Sequence, residues 1–205
     1  MLGNHAVTKL LNDFNFNTVL DIGGGQGKQA KAFADAGKTV TIVDLGLSKY
    51  ARAFVDDNRI KLIRGDFNLI NFNQQYDLIW ASHILEHQKN VGLFIDKIKS
   101  VCKPNGIICI TVPPKKDSVV GGHLTIWNAG LLMYNLVVAG IDCSQVHIKK
   151  LGYNISVIVK NIPFEIPTNL SYDVGDIQKL SKYFPKDFNF HGFNGDIREY
   201  NWNNE

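Results

Sequence analysis

Two hydrophobic patterns alternate along this chain. Short apolar runs rich in β-branched residues are typical of buried strands, whereas apolar residues three and four positions apart are typical of helices with one buried face. The first pattern predicts strands over residues 18–22, 39–44, 60–63, 76–80, 107–112, 140–147 and 154–160. The second pattern predicts helices over residues 1–17, 28–37, 48–57, 91–101 and 129–139. Strands and helices therefore follow one another through much of the chain.

The first predicted strand runs directly into a glycine turn. Residues 18–22 are followed by Gly23, Gly24 and Gly25, and the helical pattern begins at Lys28. Glycine has no Cβ, so its backbone can adopt positive φ and can lie directly against a ligand. A strand, a glycine turn and a helix N-terminus together present free N–H groups and the positive end of a helix dipole. This stretch predicts a ligand-binding site.

The spacing of the glycines separates two classes of ligand. The dinucleotide fingerprint G-x-G-x-x-G, begun at Gly23, requires a glycine where this chain has Lys28. The chain instead has Asp21-x-Gly23-x-Gly25-x-Gly27, with an acidic residue near the end of the strand. A turn that needs glycines only for its own backbone is the structural alternative. The pattern disfavours a nicotinamide-dinucleotide site.

A second acidic residue, Asp44, ends the next predicted strand, 19 residues beyond Gly25. A carboxylate at this place can accept hydrogen bonds from both hydroxyls of a ribose, because its two oxygens match two adjacent donors. Asp44 therefore indicates a ligand that carries adenosine. The structural alternative is that Asp44 caps the helix that begins near Ser48.

Four motifs, in this order, resemble those of the class I S-adenosylmethionine-dependent methyltransferases. They are the glycine turn at residues 21–27, the strand-end Asp44, Arg64-Gly65-Asp66-Phe67, and the strand at 76–80 followed by Ala81-Ser82-His83-Ile84-Leu85-Glu86-His87. The resemblance covers residues 15–160 and implies S-adenosylmethionine as cofactor, with S-adenosylhomocysteine as product. It assigns these residues to the cofactor: Asp21, Gly23, Gly24, Gly25, Gly27, Asp44, Leu45, Asp66, Phe67, Ala81, Ser82 and His83. Within this set Phe67 is suited to stacking on adenine, and a core position is its structural alternative.

The resemblance also implies a fold, which is an α/β, Rossmann-like, doubly wound seven-stranded sheet with an antiparallel closing hairpin. Residues 1–160 would form the cofactor-binding domain. Residues 161–205 lie outside the resemblance, are rich in aromatic side chains and contain prolines that exclude one long helix. So much aromatic surface predicts an extension that packs on the same domain or on a second subunit, as in a homodimer.

Two histidines are candidates for a general base. His123 follows the fifth strand, in the loop that closes the acceptor pocket in small-molecule members of the family, and an imidazole titrates near working pH. A structural histidine is the alternative there. His83, at the end of the fourth strand, is the second candidate. His83 and His87 have the i,i+4 spacing of a zinc pair, but their order differs from H-E-x-x-H and no third ligand is apparent, so no metal site is predicted.

Composition bears on the number of domains, the kinds of partner and the cellular compartment. A chain of 205 residues with 45% hydrophobic content suits one compact domain. The formal net charge of +3 gives no footprint for nucleic acid, no apolar run approaches the roughly 18 residues of a membrane span, and no signal peptide opens the chain. Cys102, Cys109 and Cys143 lie far apart and form no C-x-x-C pair, which predicts free thiols in a reducing, cytoplasmic compartment.

The motifs together predict a methyltransferase that acts on a small-molecule acceptor. Residues 121–130 and the aromatic extension are similar to those of small methyltransferases of bacterial surface-polysaccharide loci. That similarity implies O-methylation of a polar or anionic acceptor, such as a sugar or phosphoryl precursor of a capsule or surface polysaccharide. Two alternatives stay open: a non-catalytic partner subunit that binds the cofactor, and a nucleotide-dependent oxidoreductase.

Overall fold

The computed structural model describes residues 4–53, 57–188 and 192–202. Its strands are β1 Thr18–Ile22, β2 Thr39–Asp44, β3 Ile60–Arg64, β4 Tyr76–Ser82, β5 Cys102–Val112, β6 His147–Leu151, β7 Asn154–Lys160 and β8 Glu199–Tyr200. Its helices are α1 Asn4–Asp13, α2 Lys28–Asp35, α3 Lys49–Arg52, α4 Val91–Val101, α5 Ala129–Val138 and α6 Asp176–Lys179. Short 3-10 turns lie at Leu85–His87, Ser181–Tyr183 and Lys186–Phe188.

The strands form one sheet in the order β3-β2-β1-β4-β5-β7-β6-β8. Strands β1 to β5 pair in parallel, β7 is antiparallel to β5 and β6, and β8 is antiparallel to β6. The predicted doubly wound α/β sheet with an antiparallel closing hairpin is confirmed. In the described residues the sheet has eight strands instead of seven, because Glu199–Tyr200 adds a short strand beside β6.

The predicted position of the sixth strand was wrong. The strand is His147–Leu151, not 140–147. Ile141, Cys143 and Val146 are fully buried, yet Ile141 forms only an isolated bridge with Pro163. An irregular segment that is buried carries the same apolar run as a strand, so the run alone did not distinguish the two.

Several other boundaries also moved. Helix α1 ends at Asp13 instead of residue 17. The helix predicted over 48–57 is the single turn Lys49–Arg52, and residues 54–56 lie outside the described residues. Strand β5 begins at Cys102, before the predicted residue 107, because it pairs with β4 across a bulge. No helix in the described ranges is both long and apolar enough to cross a bilayer.

Helices cover both faces of the sheet, as strands that are apolar on both faces require. On one face, α1 and α2 pack over β1 and β4. There the rings of Phe16, Phe33 and Trp80 meet edge to face, at centroid distances of 5.9 and 5.6 Å. On the other face, α4 and α5 bury a larger cluster that includes Ile79. The adjacent residues Ile79 and Trp80 enter opposite layers because side chains alternate along a strand.

The C-terminal segment contributes to both core clusters. Phe184 and Ile197 are buried in the larger one. Trp202 is buried in the smaller one, where its ring lies 5.5 Å from that of His5. The backbone of this segment also reaches α5, since the Gly130 N–H donates to the Gly195 carbonyl over 2.9 Å.

Two glycines at matching places test this packing. Gly92 and Gly130 are each the second residue of their helices. A Cβ at Gly130 would lie 2.6 Å from Gly195 Cα, whereas one at Gly92 would meet nothing within 4 Å. Because alanine favours a helix over glycine by up to about 1 kcal/mol, Gly92→Ala should raise the free energy of unfolding slightly. Gly130→Ala should lower it by about 1–3 kcal/mol, because the C-terminal backbone must move.

Urea titration of the two variants measures this difference. Equal effects of Gly92→Ala and Gly130→Ala would show that the C-terminal segment does not pack on α5 in solution.

Candidate active site

The carboxyl ends of β1, β2 and β4 lie side by side, and the chain order reverses between β1 and β4. The side of the sheet that these strand ends form is called here the sheet edge. Ligands of doubly wound sheets bind at such a switch point. The glycine turn leaves β1 here, and Gly23, Gly25 and Gly27 have φ values of 74°, 55° and 76°. Residues with a Cβ are strained in this left-handed region, so the turn depends on glycine.

Close contact excludes a side chain from the middle of the turn. A Cβ at Gly24 would lie 2.7 Å from Ile42 Cγ2 and 3.1 Å from Asp21 Oδ2. A Cβ at Gly23 would lie 3.0 Å from Ile84 Cδ1. The backbone of residues 23–27, called here the glycine cradle, therefore packs directly on β2 and on Ile84, two residues beyond the end of β4.

Asp44 joins the glycine cradle to the loop after β2. Its Oδ2 accepts from the Gly25 N–H over 3.0 Å, and its Oδ1 accepts from the Gly46 N–H over 2.7 Å. Each carboxylate oxygen has capacity for a further hydrogen bond. The alternative role, capping of α3, was wrong, because the Ser48 hydroxyl caps that helix by accepting from the Ala51 N–H over 3.0 Å.

Asp21 lies near the end of β1 and is buried, with only 2% of its surface exposed. Burial and the neighbouring charge of Asp44 raise the pKa of Asp21 to about 7. Its Oδ2 has no hydrogen-bond partner among the described residues. A buried carboxylate in this state is stabilised by any donor or cation that a ligand brings.

The motif after β3 divides between the site and the core. Asp66 Oδ1 accepts from the N–H and the side-chain amide of Asn68, over 2.9 and 3.1 Å, so its carboxylate is held at the sheet edge. Phe67 is only 5% exposed, and its ring packs edge-on against Phe94 at 5.3 Å. The structure therefore places Phe67 in the core, which is the structural alternative to stacking on adenine. Leu45, in the loop after β2, is 56% exposed.

The end of β4 contributes Ala81, Ser82 and His83. Ala81 is fully buried and Ser82 is half-buried. His83 has a φ of 55°, and its N–H donates to the Thr111 carbonyl over 2.8 Å. This turn directs the His83 ring away from the strand axis, against the Tyr153 ring at a centroid distance of 5.9 Å.

Both ring nitrogens of His83 are engaged. Nε2 donates to Asn154 Oδ1 over 2.9 Å, because the Asn154 amide nitrogen itself donates to the Leu151 carbonyl. Nδ1 lies 3.3 Å from Glu86 Oε1. Burial opposes the charged form of His83, but the nearby carboxylate of Glu86 and the hydrogen bond to Asn154 outweigh it and raise its pKa. Because Nε2 already donates to Asn154 and Nδ1 faces Glu86, neither nitrogen is free to accept a proton from an acceptor, so the structure disfavours His83 as a general base.

A cavity of about 220 Å³ lies beside the end of β5. Its wall includes His123, Trp127 and Tyr153, and the Lys116 Nζ lies 4.5 Å from the Tyr153 ring centroid. Tyr153 was missed from the sequence, because it comes from the β6–β7 turn and no local motif marks it. Asn154 was read only as the start of a strand.

The loop that carries His123 is tied to the turn after β4. The Leu124 N–H donates to the Glu86 carbonyl over 2.7 Å. His87 Nδ1 lies 2.6 Å from the Gly122 carbonyl oxygen, and the His87 and His123 rings are 5.2 Å apart. These contacts bring Glu86, His87 and His123 together.

Comparison with known proteins identifies the family. A family model described as "Methyltransferase domain" matches residues 4–159, which is more than half of the chain. The chain therefore belongs to the methyltransferase-domain family. The motifs that predicted this family all lie within the matched residues.

The curated relatives are O-methyltransferases that are longer than the matched region. The ubiquinone biosynthesis O-methyltransferase of Rickettsia canadensis is 31% identical over 109 residues, which are 51% of this chain and 46% of the relative. The enzyme of the same name from Rickettsia conorii is 30% identical over 119 residues, 55% of this chain and 41% of the relative. The chain thus spans less than half the length of these relatives.

Solved methyltransferases share the fold. The 1,6-didemethyltoxoflavin-N1-methyltransferase of Burkholderia thailandensis, solved with S-adenosylhomocysteine, has a TM-score of 0.62 at 18% identity over 78% of this chain and 77% of its own. The N-methyltransferase NodS of Bradyrhizobium japonicum, also solved with S-adenosylhomocysteine, has a TM-score of 0.61 at 18% identity over 77% of this chain and 85% of its own. This likeness confirms the Rossmann-like fold.

The raised pKa of Asp21 predicts a pH dependence of stability. The folded pKa of about 7 lies above the ordinary value of 3.8. Asp21 therefore contributes most to stability below about pH 4, and this contribution is lost as the pH rises through 7. Relative to Asp21→Asn, the wild type should lose up to about 4 kcal/mol of unfolding free energy between about pH 4 and 8.

Denaturant unfolding at several pH values measures this loss. The control is Asp117→Asn, since the Asp117 side chain is 98% exposed, and its profile should parallel that of the wild type. A constant difference between wild type and Asp21→Asn across this range would contradict the raised pKa.

Proposed function

We propose that this chain transfers the methyl group of S-adenosylmethionine to a small-molecule acceptor. The observation that carries the proposal is the glycine cradle, a backbone surface that tolerates no Cβ at Gly24 and is tied to the strand-end carboxylate of Asp44. The unpartnered Oδ2 of Asp21 also fits a ligand that brings an ammonium group. Membership of the methyltransferase-domain family supports the same function.

The residues at this edge divide the task of holding the cofactor. The cradle and the start of α2 at Lys28 would hold the methionine portion, with Asp21 beneath them. Asp44 would accept the ribose hydroxyls and Asp66 the adenine amine. Leu45, Ala81, Ser82 and His83 would border the bound molecule at the loop after β2 and at the end of β4. When bound, S-adenosylmethionine supplies a methyl group that its sulfonium already activates.

The cavity after β5 is the proposed acceptor site. Lys116 offers a positive charge and Tyr153 an aromatic face, which suits a polar or anionic acceptor. His123 stands at the cavity wall and would take the proton of an acceptor hydroxyl as that oxygen bonds to the methyl carbon. His83 would keep its proton and position the neighbouring turn. The presence of this cavity favours an enzyme over a non-catalytic subunit.

The lining of the same cavity is compatible with two classes of acceptor. One lysine and aromatic walls match both a phenolic ring and a sugar phosphate. The curated relatives are named for ubiquinone biosynthesis, and none of those reported above favours a surface-polysaccharide precursor. We therefore propose O-methylation of a small anionic or polar hydroxyl compound, with sugars and sugar phosphates as one class to be compared with catechols.

Most of the rate enhancement would come from positioning. Alignment of two reactants is worth roughly 7–11 kcal/mol in favourable cases. A general base adds about 10²–10⁴-fold. The cradle and the cavity wall would supply the first contribution, and His123 the second.

Calorimetric titration tests the cofactor class. The wild type should bind S-adenosylmethionine and S-adenosylhomocysteine with micromolar affinity and should not bind NAD. Asp44→Asn keeps the size of the side chain but removes its charge and one acceptor oxygen, so it should weaken binding by about 10–100-fold. Asp96→Asn should bind like the wild type, because that side chain is 62% exposed on α4 and does not line the cavity.

Binding of NAD alone would indicate a nucleotide-dependent oxidoreductase instead. Binding of neither class, by a protein that is folded by circular dichroism, would overturn the proposed function.

A second measurement tests the role of His123. Release of S-adenosylhomocysteine should be followed with a panel of catechols, sugars and sugar phosphates. With an acceptor that is turned over, His123→Gln should lower kcat by about 10²–10⁴-fold, while cofactor affinity stays unchanged.

His147→Gln is the control, since His147 packs on Phe14 away from the cavity. An unchanged kcat would exclude His123, and cofactor binding without turnover of any acceptor would favour a partner subunit.

A further inference from the structure

Three side chains with metal-ligating atoms meet between the turn after β4 and the loop after β5. They are Glu86, His87 and His123, and one ligand atom from each lies within 4.8 Å of the others. Glu86 and His87 belong to the turn Leu85–His87, whereas His123 arrives from a distant part of the sequence. The backbone bond from the Leu124 N–H to the Glu86 carbonyl fixes this approach.

Glu86 is a buried carboxylate that lacks ordinary partners. The residue is fully buried, and neither of its carboxylate oxygens accepts a hydrogen bond of normal geometry among the described residues. The nearest ring nitrogens are His83 Nδ1 at 3.3 Å and His87 Nε2 at 3.8 Å, both from Oε1. Burial of an acid without hydrogen bonds is costly unless a cation compensates it. The second oxygen, Oε2, has no such neighbour.

His87 is held in the tautomer that a metal requires. Its Nδ1 is 2.6 Å from the Gly122 carbonyl, which can only accept, so Nδ1 carries the proton. The lone pair therefore lies on Nε2, on the side of Glu86. Metal-ligating histidines commonly donate their other N–H to a backbone carbonyl in this way. Gly122 permits the contact because its φ is 83° and a Cβ there would lie 3.3 Å from His87 Nδ1.

We propose that Glu86, His87 and His123 bind a divalent transition-metal ion of the zinc class. Two imidazoles and one carboxylate are a donor set that leaves a coordination position open, and they disfavour Mg²⁺, which prefers oxygen ligands. Ligands around a tetrahedral zinc are about 3.4 Å apart, given Zn–N distances near 2.0–2.1 Å. The ligand atoms lie within 4.8 Å of one another here, so a bound ion would draw them closer together. The His87 side chain is 39% exposed and is free of the core on one side.

The proposed metal site borders the proposed acceptor cavity, since His123 belongs to both. Ligation occupies the nitrogen of His123 that would otherwise accept a proton, so the ion and proton transfer to that nitrogen exclude each other. This consequence rests on the proposed function, whereas the metal site itself does not. The sequence pointed away from a metal because the third ligand is 36 residues beyond His87 and no spacing motif links them.

Zinc binding by the whole chain tests the proposal without any substrate. Protein stripped with EDTA is titrated with Zn²⁺ against a chromophoric chelator. We expect one Zn²⁺ per wild-type chain, no competition from millimolar Mg²⁺, and a rise in Tm when Zn²⁺ is added. Glu86→Gln and His87→Ala should each weaken Zn²⁺ binding at least about tenfold. Glu165→Gln is the matched control, because Glu165 is exposed, and it should bind like the wild type.

The variants also separate binding from folding. Glu86 is buried, so circular dichroism must show that Glu86→Gln is folded; His87→Ala changes an exposed side chain and serves if it is not. Failure of the wild type to take Zn²⁺ from the chelator would overturn the proposal. Equal affinity of His87→Ala and the wild type would overturn it too, since the ion would then be held elsewhere. Either failure leaves the cofactor titration unaffected, so the two proposals are judged separately.

Discussion

The carboxylate of Asp44 is the contact on which the candidate site depends. It accepts one N–H from the glycine cradle and one from the loop after β2, and so ties together the ends of two neighbouring strands. The parallel register, in which Ile22 pairs with Val43, places those ends side by side. The cradle can lie so close to β2 only because Gly24 has no Cβ. A single acidic residue and a missing side chain thus shape the edge where a cofactor would bind.

Two buried carboxylates at this edge have unsatisfied oxygens. Asp21 lies under the cradle, and Glu86 lies in the turn after β4. A protein that only had to be stable would replace such groups by apolar ones or provide them with donors. Their retention at the carboxyl ends of parallel strands, where doubly wound folds bind ligands, favours a role in ligand binding for both. Asp21 is the proposed partner of the cofactor, and Glu86 is a proposed metal ligand.

Hydrogen bonding also separates His123 and His83, the first and second candidates for a general base. His83 is held between two partners: its Nε2 donates to Asn154 Oδ1, and its Nδ1 lies 3.3 Å from Glu86 Oε1. His123 stands at the wall of a cavity, next to His87. The difference comes from partners in β7 and in the loop after β5, which no local pattern around either histidine indicates. Phe67 illustrates the same limit, because a phenylalanine after a strand reads alike whether it faces a ligand or packs against Phe94.

The family resemblance implied the winding of the sheet, and patterns along the sequence predicted most of its strands, the glycine turn and the strand-end acids. These features are local: a strand, a turn that needs positive φ and a carboxylate at a set spacing each occupy a few consecutive residues. Only the tertiary structure decided the position of β6, the eighth strand and the grouping of Glu86, His87 and His123. Those outcomes depend on contacts between segments far apart in the chain. An apolar run or a lone histidine does not indicate which distant residues it will contact.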